Sequence, residues 1–187
     1  MADQRVAARY VKSLLGLAVE KGVLDDVHRD MQLFARTCKE NRNFVAMLRS
    51  PVIRHENKRA ILKKVFTGKV NDLTMAIINI VTQKNREPIL PAMAEEFHNA
   101  YNAYKGIGKA YLTTTVPPDK ELLEIMQGIA RKLANKDTIE LKMDLDASLI
   151  GGFVLHVGDR QIDASIRSKL RTLDLKFEEN YFVKKSE

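Results

Sequence analysis

The sequence predicts an α+β protein of two domains, an N-terminal six-helix bundle (residues 1–105) followed by a small C-terminal α/β domain (residues 106–187). Two observations support this prediction. Apolar residues recur at spacings of three and four through the first half, which is typical of amphipathic helices. After Gly106-Ile107-Gly108 the pattern changes to short runs rich in Tyr, Thr and β-branched residues, alternating with helical stretches as in α/β domains.

Six helices are predicted in the first half, each from an apolar stripe and a start or stop signal. Gly22 ends the first helix and Gly68 the fourth, since glycine is favoured just past a helix C-terminus. Ser50-Pro51 ends the third, because a residue before proline avoids the α region. Asp72 is a candidate cap for the fifth helix, and Pro88 opens the sixth. The predicted helices span residues 5–21, 24–39, 43–48, 55–66, 73–82 and 88–104.

The fourth and fifth predicted helices differ in their apolar patterns. The fourth is one-sided, and its inward residues are expected to be Ile61, Leu62, Val65 and Phe66. Its basic residues are expected mainly outward and are Lys58, Arg59, Lys63 and Lys64. The fifth helix is expected at the centre of the bundle, because it is apolar nearly all round. Its apolar residues include Ile77, Ile78, Ile80 and Val81.

The second half alternates strands with helices. Residues 109–116 are rich in Tyr and Thr and end at Pro117-Pro118, which predicts a strand. Residues 119–134 carry Leu and Ile in one helical stripe. Residues 138–145 place apolar side chains at every second position, which is typical of a half-buried strand.

The last predicted unit is a strand, a turn and a helix. Gly151-Gly152 gives backbone freedom before a strand over residues 153–157. Gly158-Asp159 predicts a tight turn, and Asp163 is placed where it could cap the following helix. That helix carries an apolar stripe formed by Ile166, Leu170, Leu173 and Phe177.

The strand, turn and helix pattern of this unit is common in α/β domains, but the order of its individual residues is more specific. Ile150-Gly151-Gly152-Phe153 is followed by Val157-Gly158-Asp159 and then by Asp163 with Ser165-Ile166. This order and spacing resemble the C-terminal signature of the ATP synthase delta subunit family, which includes the mitochondrial oligomycin-sensitivity-conferring protein. The first half is similar to that family at Tyr10, at Ser50-Pro51-Val52 with Lys58, and at Asn85-Arg86. It departs from the family at Val11 and Ser13, where small alanines are common.

The net charge of +7 belongs entirely to the first half. Residues 1–105 contain 18 Lys and Arg against 11 Asp and Glu, whereas residues 106–187 contain 13 of each kind. An acidic partner or surface is therefore expected on the N-terminal side. No apolar stretch approaches the roughly 20 residues that span a bilayer. The single cysteine, Cys38, excludes an intramolecular disulfide and is interpreted as a free structural thiol.

No cluster of residues predicts catalysis, a metal site or a bound cofactor. Gly106-Ile107-Gly108-Lys109 lacks the third glycine of a dinucleotide fingerprint and the Ser or Thr of a P-loop, which favours a hinge. Asp163 and Ser165 have no histidine nearby in sequence, so helix capping is favoured over nucleophilic chemistry. The histidines are dispersed without the spacing of metal ligands, and they are His28, His55, His98 and His156.

The resemblance implies a non-catalytic stator subunit of an F-type proton-translocating ATP synthase. Such a subunit joins the catalytic head to the peripheral stalk and resists rotary torque during ATP synthesis. Residues 1–105 would receive the N-terminal helix of an alpha subunit, and residues 106–187 would engage the b subunits. The implied groove for alpha lies between the first and fifth helices, where apolar anchors of a helix can be held. Its candidate residues are Tyr10, Ser13, Leu14, Leu17, Ala76, Ile77 and Ile80.

Other interpretations stay open from the residues alone. Each groove candidate could instead be ordinary core packing. A basic helical RNA-binding protein is one alternative, because Lys58, Arg59, Lys63, Lys64 and Lys69 could contact phosphates, although no aromatic residues are interleaved with them. A small enzyme with an unrecognised α/β active site is another. The family interpretation involves no nucleic acid, and it brings the chain to the membrane only through the complex. The lack of a transit-like leader favours a bacterial protein on the cytoplasmic side of the inner membrane.

Overall fold

A computed structural model describes residues 2–183, with the side chains of residues 4–177. The chain forms two compact units, Met1–Tyr104 and Lys105–Glu187, which we call the N-terminal unit and the C-terminal unit. The first consists of helices, and the second combines helices with a sheet. A helical part followed by an α/β part is therefore confirmed.

The helices of the N-terminal unit follow one another through short connections. The fourth matches its predicted range, and the others differ from prediction by one to three residues at an end. They are α1 (Ala2–Glu20), α2 (Leu24–Glu40), α3 (Arg42–Arg49), α4 (His55–Phe66), α5 (Asp72–Gln83) and α6 (Leu90–Tyr104). A 3-10 helix over Glu87–Ile89 precedes α6, so Pro88 lies in that turn and not in the first turn of α6.

Asparagine side chains cap two of these helices. Asn41 accepts a hydrogen bond from the Phe44 N–H at the start of α3, at 3.1 Å. Asn71 accepts from the Leu73 N–H at the start of α5, at 2.9 Å. The prediction that Asp72 caps α5 is wrong, because Asp72 is already helical and Asn71 has the extended backbone of an N-cap.

The core of the N-terminal unit forms around α6, which packs against both α1 and α2. The rings of Phe34, Phe44 and Phe66 pack together, with centroids 5.1 to 6.2 Å apart. All three side chains are buried. Aromatic rings in such contacts add stability beyond the apolar area that they remove from water.

The prediction that α5 is central in the bundle is wrong. One flank of the helix faces solvent, and its buried side includes two threonines, Thr74 and Thr82. Thr74 donates to the buried Asp30 carboxylate at 2.7 Å, and the same oxygen accepts from the Asn71 N–H at 2.7 Å. This pairing satisfies the Asp30 carboxylate and ties α2 to the start of α5.

The described part of the C-terminal unit forms a four-stranded sheet, two α-helices and a short 3-10 helix over Ala147–Leu149. Its elements are β1 (Gly108–Thr114), α7 (Lys120–Ala134), β2 (Ile139–Leu145), β3 (Phe153–Val157), β4 (Arg160–Asp163) and α8 (Ile166–Val183). The strand order is β2-β1-β3-β4, with β1 and β2 parallel and the other neighbouring pairs antiparallel. Asp119 caps α7 by accepting from the Leu122 N–H at 2.8 Å.

A small core lies between α7 and the sheet. Met126 and Ala130 of α7 are buried against Leu112 of β1 and Leu155 of β3. The edge strand β2 follows the predicted alternation only in part. Its first apolar residues are half-buried and its last two are exposed, and these last two are Met143 and Leu145.

Candidate partner-binding surfaces

Six of the seven predicted groove residues lie on the outer flanks of α1 and α5, which contact each other. Leu17 and Ile80 are each 45% exposed. Tyr10 and Ile77 are half-buried against the core, and the two remaining residues are exposed. We call these six residues the α1–α5 surface, and they are Tyr10, Ser13, Leu17, Ala76, Ile77 and Ile80.

Leu14 lies in the core and not on this surface. It is 1% exposed and belongs to the buried face of α1 together with Ala7, Val11 and Ala18. These four residues are three or four positions apart and therefore share one face of the helix. Leu17 lies about one turn further along the same helix, on its exposed side.

A hydrogen bond links α1 to the segment that follows α5. The Arg86 guanidinium donates to the Tyr10 hydroxyl oxygen at 3.2 Å. Asn85 reaches the left-handed region, with φ of 55°, and turns the chain between α5 and Arg86. The Asn85-Arg86 pair therefore brings a positive charge to Tyr10, at one end of the α1–α5 surface.

Two of the four basic residues of α4, which were predicted to face mainly outward, are buried or half-buried. The prediction that Ile61 faces inward is wrong, because its side chain is 38% exposed. Lys58 is buried, because its ammonium group donates to the Leu48 carbonyl oxygen at 2.9 Å and lies 3.8 Å from a Glu87 carboxylate oxygen. Arg59 is half-buried and donates to the Asn79 side chain at 3.2 Å. A solvent-facing phosphate contact is therefore left to the exposed members, Lys63, Lys64 and Lys69.

The glycines of the C-terminal signature occupy positions that a larger side chain would obstruct. Gly152 has a φ of 77°, and a Cβ atom there would lie 2.3 Å from the Ala164 carbonyl oxygen. A Cβ atom at Gly151 would lie 2.6 Å from the end of the Ile166 side chain. Gly158, with a φ of 62°, forms the turn between β3 and β4 together with the exposed Asp159. The signature therefore specifies close backbone packing beside the start of α8.

The prediction that Asp163 caps the last helix is wrong. Asp163 is the final residue of β4, and its carboxylate accepts from the Ser165 N–H at 2.9 Å. Hydrogen bonds from Ser165, through its hydroxyl and its N–H, lower the pKa of the Asp163 carboxyl. The cap is the buried Ser165, whose hydroxyl oxygen accepts from the Ser168 N–H at 3.2 Å.

The apolar stripe predicted on α8 is present and faces solvent. Its four residues are between 42% and 70% exposed, and we call them the α8 stripe: Ile166, Leu170, Leu173 and Phe177. Ile150 is next in the chain to Gly151, which lies against Ile166, and it is 62% exposed. Its φ of 67° is unusual for a β-branched residue. Sequence reasoning did not single out Ile150 as a surface residue, because its strained backbone gives no signal in a single sequence.

The structure brings together two histidines that are far apart in sequence. His28 Nε2 and His98 Nδ1 lie 2.9 Å apart, and the His28 ring stacks on Tyr101. Among the described residues, no group of three or more His, Cys, Asp or Glu side chains is arranged to hold a metal ion. Cys38 is a free thiol, and burial, with Glu95 nearby, raises its pKa to about 11. A thiol with a raised pKa is a poor nucleophile at neutral pH.

The segment around Gly106 and Gly108 leads from α6 into strand β1 and not into the N-terminus of a helix. Gly106 has a φ of 70° near the boundary of the two units, whereas Gly108 and Lys109 belong to strand β1. A Cβ atom at Gly108 would lie 2.4 Å from the Ile139 side chain, so this glycine permits close packing of β1. Among residues 2–183, no helix combines the length and the apolar character needed to cross a membrane.

Comparison with known proteins gives relatives along nearly the whole chain. The chain is 38% identical over 179 residues to the ATP synthase subunit delta of Cytophaga hutchinsonii, covering 96% of this chain and 97% of that one. It is 35% identical over 185 residues to the ATP synthase subunit delta of Christiangramia forsetii, covering 99% and 100%. A solved chain from the mitochondrial ATP synthase hexamer of Toxoplasma gondii has a similar fold, with a TM-score of 0.73 at 22% identity, covering 91% of this chain and 96% of that one.

The family model described as the ATP synthase delta (OSCP) subunit matches residues 6–177. This range includes the α1–α5 surface, the signature around Gly151 and Gly152, and the α8 stripe. The resemblance inferred from the sequence is thus confirmed, and the chain belongs to the ATP synthase delta (OSCP) subunit family.

Proposed function

We propose that this chain is the delta subunit of an F-type proton-translocating ATP synthase. In that role it is a non-catalytic stator component that links the catalytic head to the peripheral stalk and resists rotary torque. Membership of the family over residues 6–177 is the observation that carries the proposal. The presence of one exposed apolar surface on each compact unit supports it, since a tether must hold two neighbours.

The N-terminal unit, proposed to be a six-helix bundle, is the part that holds the head. Its α1–α5 surface receives the amphipathic N-terminal helix of an alpha subunit by helix-in-groove recognition. Leu17 and Ile80 supply exposed apolar contacts, one from each helix, and Tyr10 with Arg86 supplies polar contacts at one end. The basic excess of the first half favours an acidic partner helix.

The C-terminal unit holds the b subunits of the peripheral stalk. The α8 stripe is long enough to follow a partner helix, because residues 166 to 177 span about three helical turns. Ile150 extends the apolar area next to Ile166. Contiguous exposed apolar area on a soluble domain is typical of a protein-binding site.

The chain is then a peripheral component that reaches the membrane only through the complex. In a bacterial cell this places it on the cytoplasmic side of the inner membrane. Homologues named as ATP synthase subunit delta in bacteria support this assignment.

The head contact is tested with a synthetic peptide of the alpha N-terminus, titrated against the full chain by calorimetry. Leu17→Asp and Ile80→Asp are each expected to weaken binding at least 10-fold, because a charge replaces an apolar contact. Val19→Asp is the matched control, since Val19 is comparably exposed on the opposite flank of α1. Equal affinities of all three variants for the peptide would refute the α1–α5 surface as the alpha site.

The stalk contact is tested by pull-down of the full chain on soluble b-subunit dimers. Leu170→Asp and Leu173→Asp are expected to abolish capture, whereas Leu175→Asp is expected to retain it. Leu175 is equally exposed but lies on the opposite side of α8, so it controls for the added charge. Retained capture by the two stripe variants would show that the stalk binds elsewhere.

The stator role itself is tested by adding the chain back to membranes depleted of it. We expect the chain to restore attachment of the ATPase head and coupling of the proton gradient to ATP synthesis. Depleted membranes that keep their head attached and synthesise ATP at the normal rate would overturn the proposed function.

A further inference from the structure

An open cavity of about 400 Å³ lies where α3 ends, α4 begins and the turn after α5 passes. This volume is within the range of roughly 300–1,000 Å³ typical of ligand pockets. Two stretches that are distant in sequence converge on it, one with Ser50-Pro51 and Lys58 and the other with Asn85. The described lining shares no residue with the α1–α5 surface or the α8 stripe, so the functions proposed above do not account for this site.

A buried ion pair contributes to the lining of the cavity. Lys58 and Glu87 are both more than nine-tenths buried, and their charged atoms are 3.8 Å apart. The Lys58 ammonium also donates to the Leu48 carbonyl oxygen at 2.9 Å. At this separation the attraction between the two charges does not offset the cost of removing both from water, unless further hydrogen bonds satisfy the charged groups.

The Glu87 carboxylate is the incompletely bonded member of the pair. Its Oε1 atom is buried and accepts no hydrogen bond from the described part of the chain. A buried acceptor without a donor is rare and lowers the stability of the folded state, so it calls for an explanation. Glu87 lines the cavity, so a ligand bound there with an N–H group would supply the donor that this oxygen lacks.

The rim of the cavity carries hydrogen-bond donors and therefore needs an acceptor from a ligand. Arg49, Arg54 and His55 are exposed there and carry hydrogen-bond donors. Arg54 also precedes α4, whose N-terminus has no side-chain cap and has a partial positive charge. Guanidinium groups bind carboxylates through paired hydrogen bonds, so the rim favours an anionic carboxylate.

We infer that this cavity binds an acidic peptide segment of a partner protein. A carboxylate of the peptide contacts Arg49 and Arg54 at the rim, and a peptide N–H donates to the Glu87 carboxylate. A peptide combines both groups at adjacent positions. Inorganic phosphate and nucleotide phosphate groups satisfy the rim through their oxygens, but they have no peptide N–H group to donate to the Glu87 carboxylate.

The inference is tested by nuclear magnetic resonance titration of the ¹⁵N-labelled full chain. The probe is the capped peptide acetyl-Asp-Glu-Asp-amide, and its uncharged counterpart is acetyl-Asn-Gln-Asn-amide. Sodium acetate and inorganic phosphate are titrated separately at equal ionic strength. We expect the acidic peptide to shift the amide signals of residues 49–58 and 85–89 in a saturable way. Acetate and phosphate should bind at least 10-fold more weakly than the peptide.

Charge reversal at the rim provides the second arm. Arg49→Glu and Arg54→Glu are each expected to weaken peptide binding at least 10-fold. Lys64→Glu is the matched control, because Lys64 is exposed on α4 and does not line the cavity, and its effect should be below twofold. Circular dichroism is used to check that all three variants are folded.

Three results would overturn the inference. The first is a linear, unsaturable shift spread over all basic residues, which indicates diffuse charge attraction. The second is equal binding of acetate and peptide, which removes the role of Glu87. The third is tighter binding of phosphate than of peptide, which identifies an anion site instead. Because the alpha and b contacts lie on other residues, none of these results bears on the proposed stator function.

Discussion

The two candidate surfaces differ in their relation to the core beneath them. The α1–α5 surface is the outer flank of helices whose inner sides build the large core of the N-terminal unit, so Leu17 lies one turn from the buried Leu14. In the C-terminal unit the core lies between α7 and the sheet. None of the described side chains of α8 is fully buried, so the α8 stripe lies outside that core.

Substitutions in the binding surface of the C-terminal unit are therefore expected to change partner affinity without changing stability. In the N-terminal unit, substitutions are expected to change both. A substitution in the α8 stripe changes an exposed face of the helix. It should therefore lower the unfolding free energy of the C-terminal unit very little. A substitution in α1 or α5 also acts on a helix that carries core residues. We therefore expect partner affinity and unfolding free energy to vary independently for the α8 stripe, and to vary together within α1 and α5.

Phenylalanine truncation gives the largest contrast. Phe66→Ala is expected to destabilise the N-terminal unit by about 4 kcal/mol, because Phe66 is buried against two other rings. Phe177→Ala should change the stability of the C-terminal unit by less than about 0.5 kcal/mol, since the side chain is mostly exposed. Urea unfolding followed by amide hydrogen exchange resolves the two units. A large loss from Phe177→Ala would show that α8 belongs to the core after all.

The buried ion pair gives the next effect. Lys58→Met leaves the Glu87 carboxylate buried without a cation and should cost about 3 kcal/mol. The double variant Lys58→Met/Glu87→Met should be close to the wild type in unfolding free energy, because no unpaired charge remains. A double-mutant cycle measured by urea unfolding checks this. Additive effects of the two substitutions would mean that the pair does not interact.

Two glycines with left-handed backbone give a smaller, paired contrast. Gly152→Ala is expected to cost about 2–3 kcal/mol, because the new methyl group also meets the Ala164 carbonyl oxygen. Gly22→Ala should cost only about 1 kcal/mol, since no atom lies within 4 Å of the added carbon. Thermal unfolding of both variants compares the two. Equal losses would show that backbone conformation alone, and not close packing, requires the signature glycine.

The pH dependence of Asp163 is the smallest effect. Its pKa is lowered in the folded chain, so its contribution to stability is complete above the unfolded pKa of about 3.9 and is lost as the pH falls through the folded value. Asp163→Asn should remove that part of the acid sensitivity of the C-terminal unit. Urea unfolding at pH 5 and at pH 2.5 measures the difference between variant and wild type. An identical pH dependence in both proteins would contradict the assignment.

Local patterns predicted most of the elements. The range of α4 and the strand Phe153–Val157 follow directly from apolar spacing and from flanking Gly and Pro residues. The resemblance of the C-terminal signature identified the family, since glycine positions and capping residues recur in order. The residues that cap the helices were less predictable, because Asn, Asp and Ser side chains can all accept a hydrogen bond from a backbone N–H. Asn71 and not Asp72 caps α5, and Ser165 and not Asp163 caps α8.

The sequence pattern could not predict which individual side chains are buried. Lys58 was expected with the mainly outward basic residues of α4, yet it is buried and pairs with Glu87, twenty-nine positions away. Leu14 and Leu17 are the same type of residue and both fit the helical spacing of apolar residues in α1. Only Leu17 is exposed. The apolar residues of α5 likewise face both core and solvent, which a helical wheel of one helix cannot distinguish.

The sequence by itself determined the two structural classes, the order of most elements and the family, because these depend on local spacing and on residues close together in the chain. The tertiary structure alone decided which apolar residues stay exposed, which charges meet and where a cavity forms. Those properties depend on contacts between residues tens of positions apart, and solvent exposure is set only when every neighbouring element is in place.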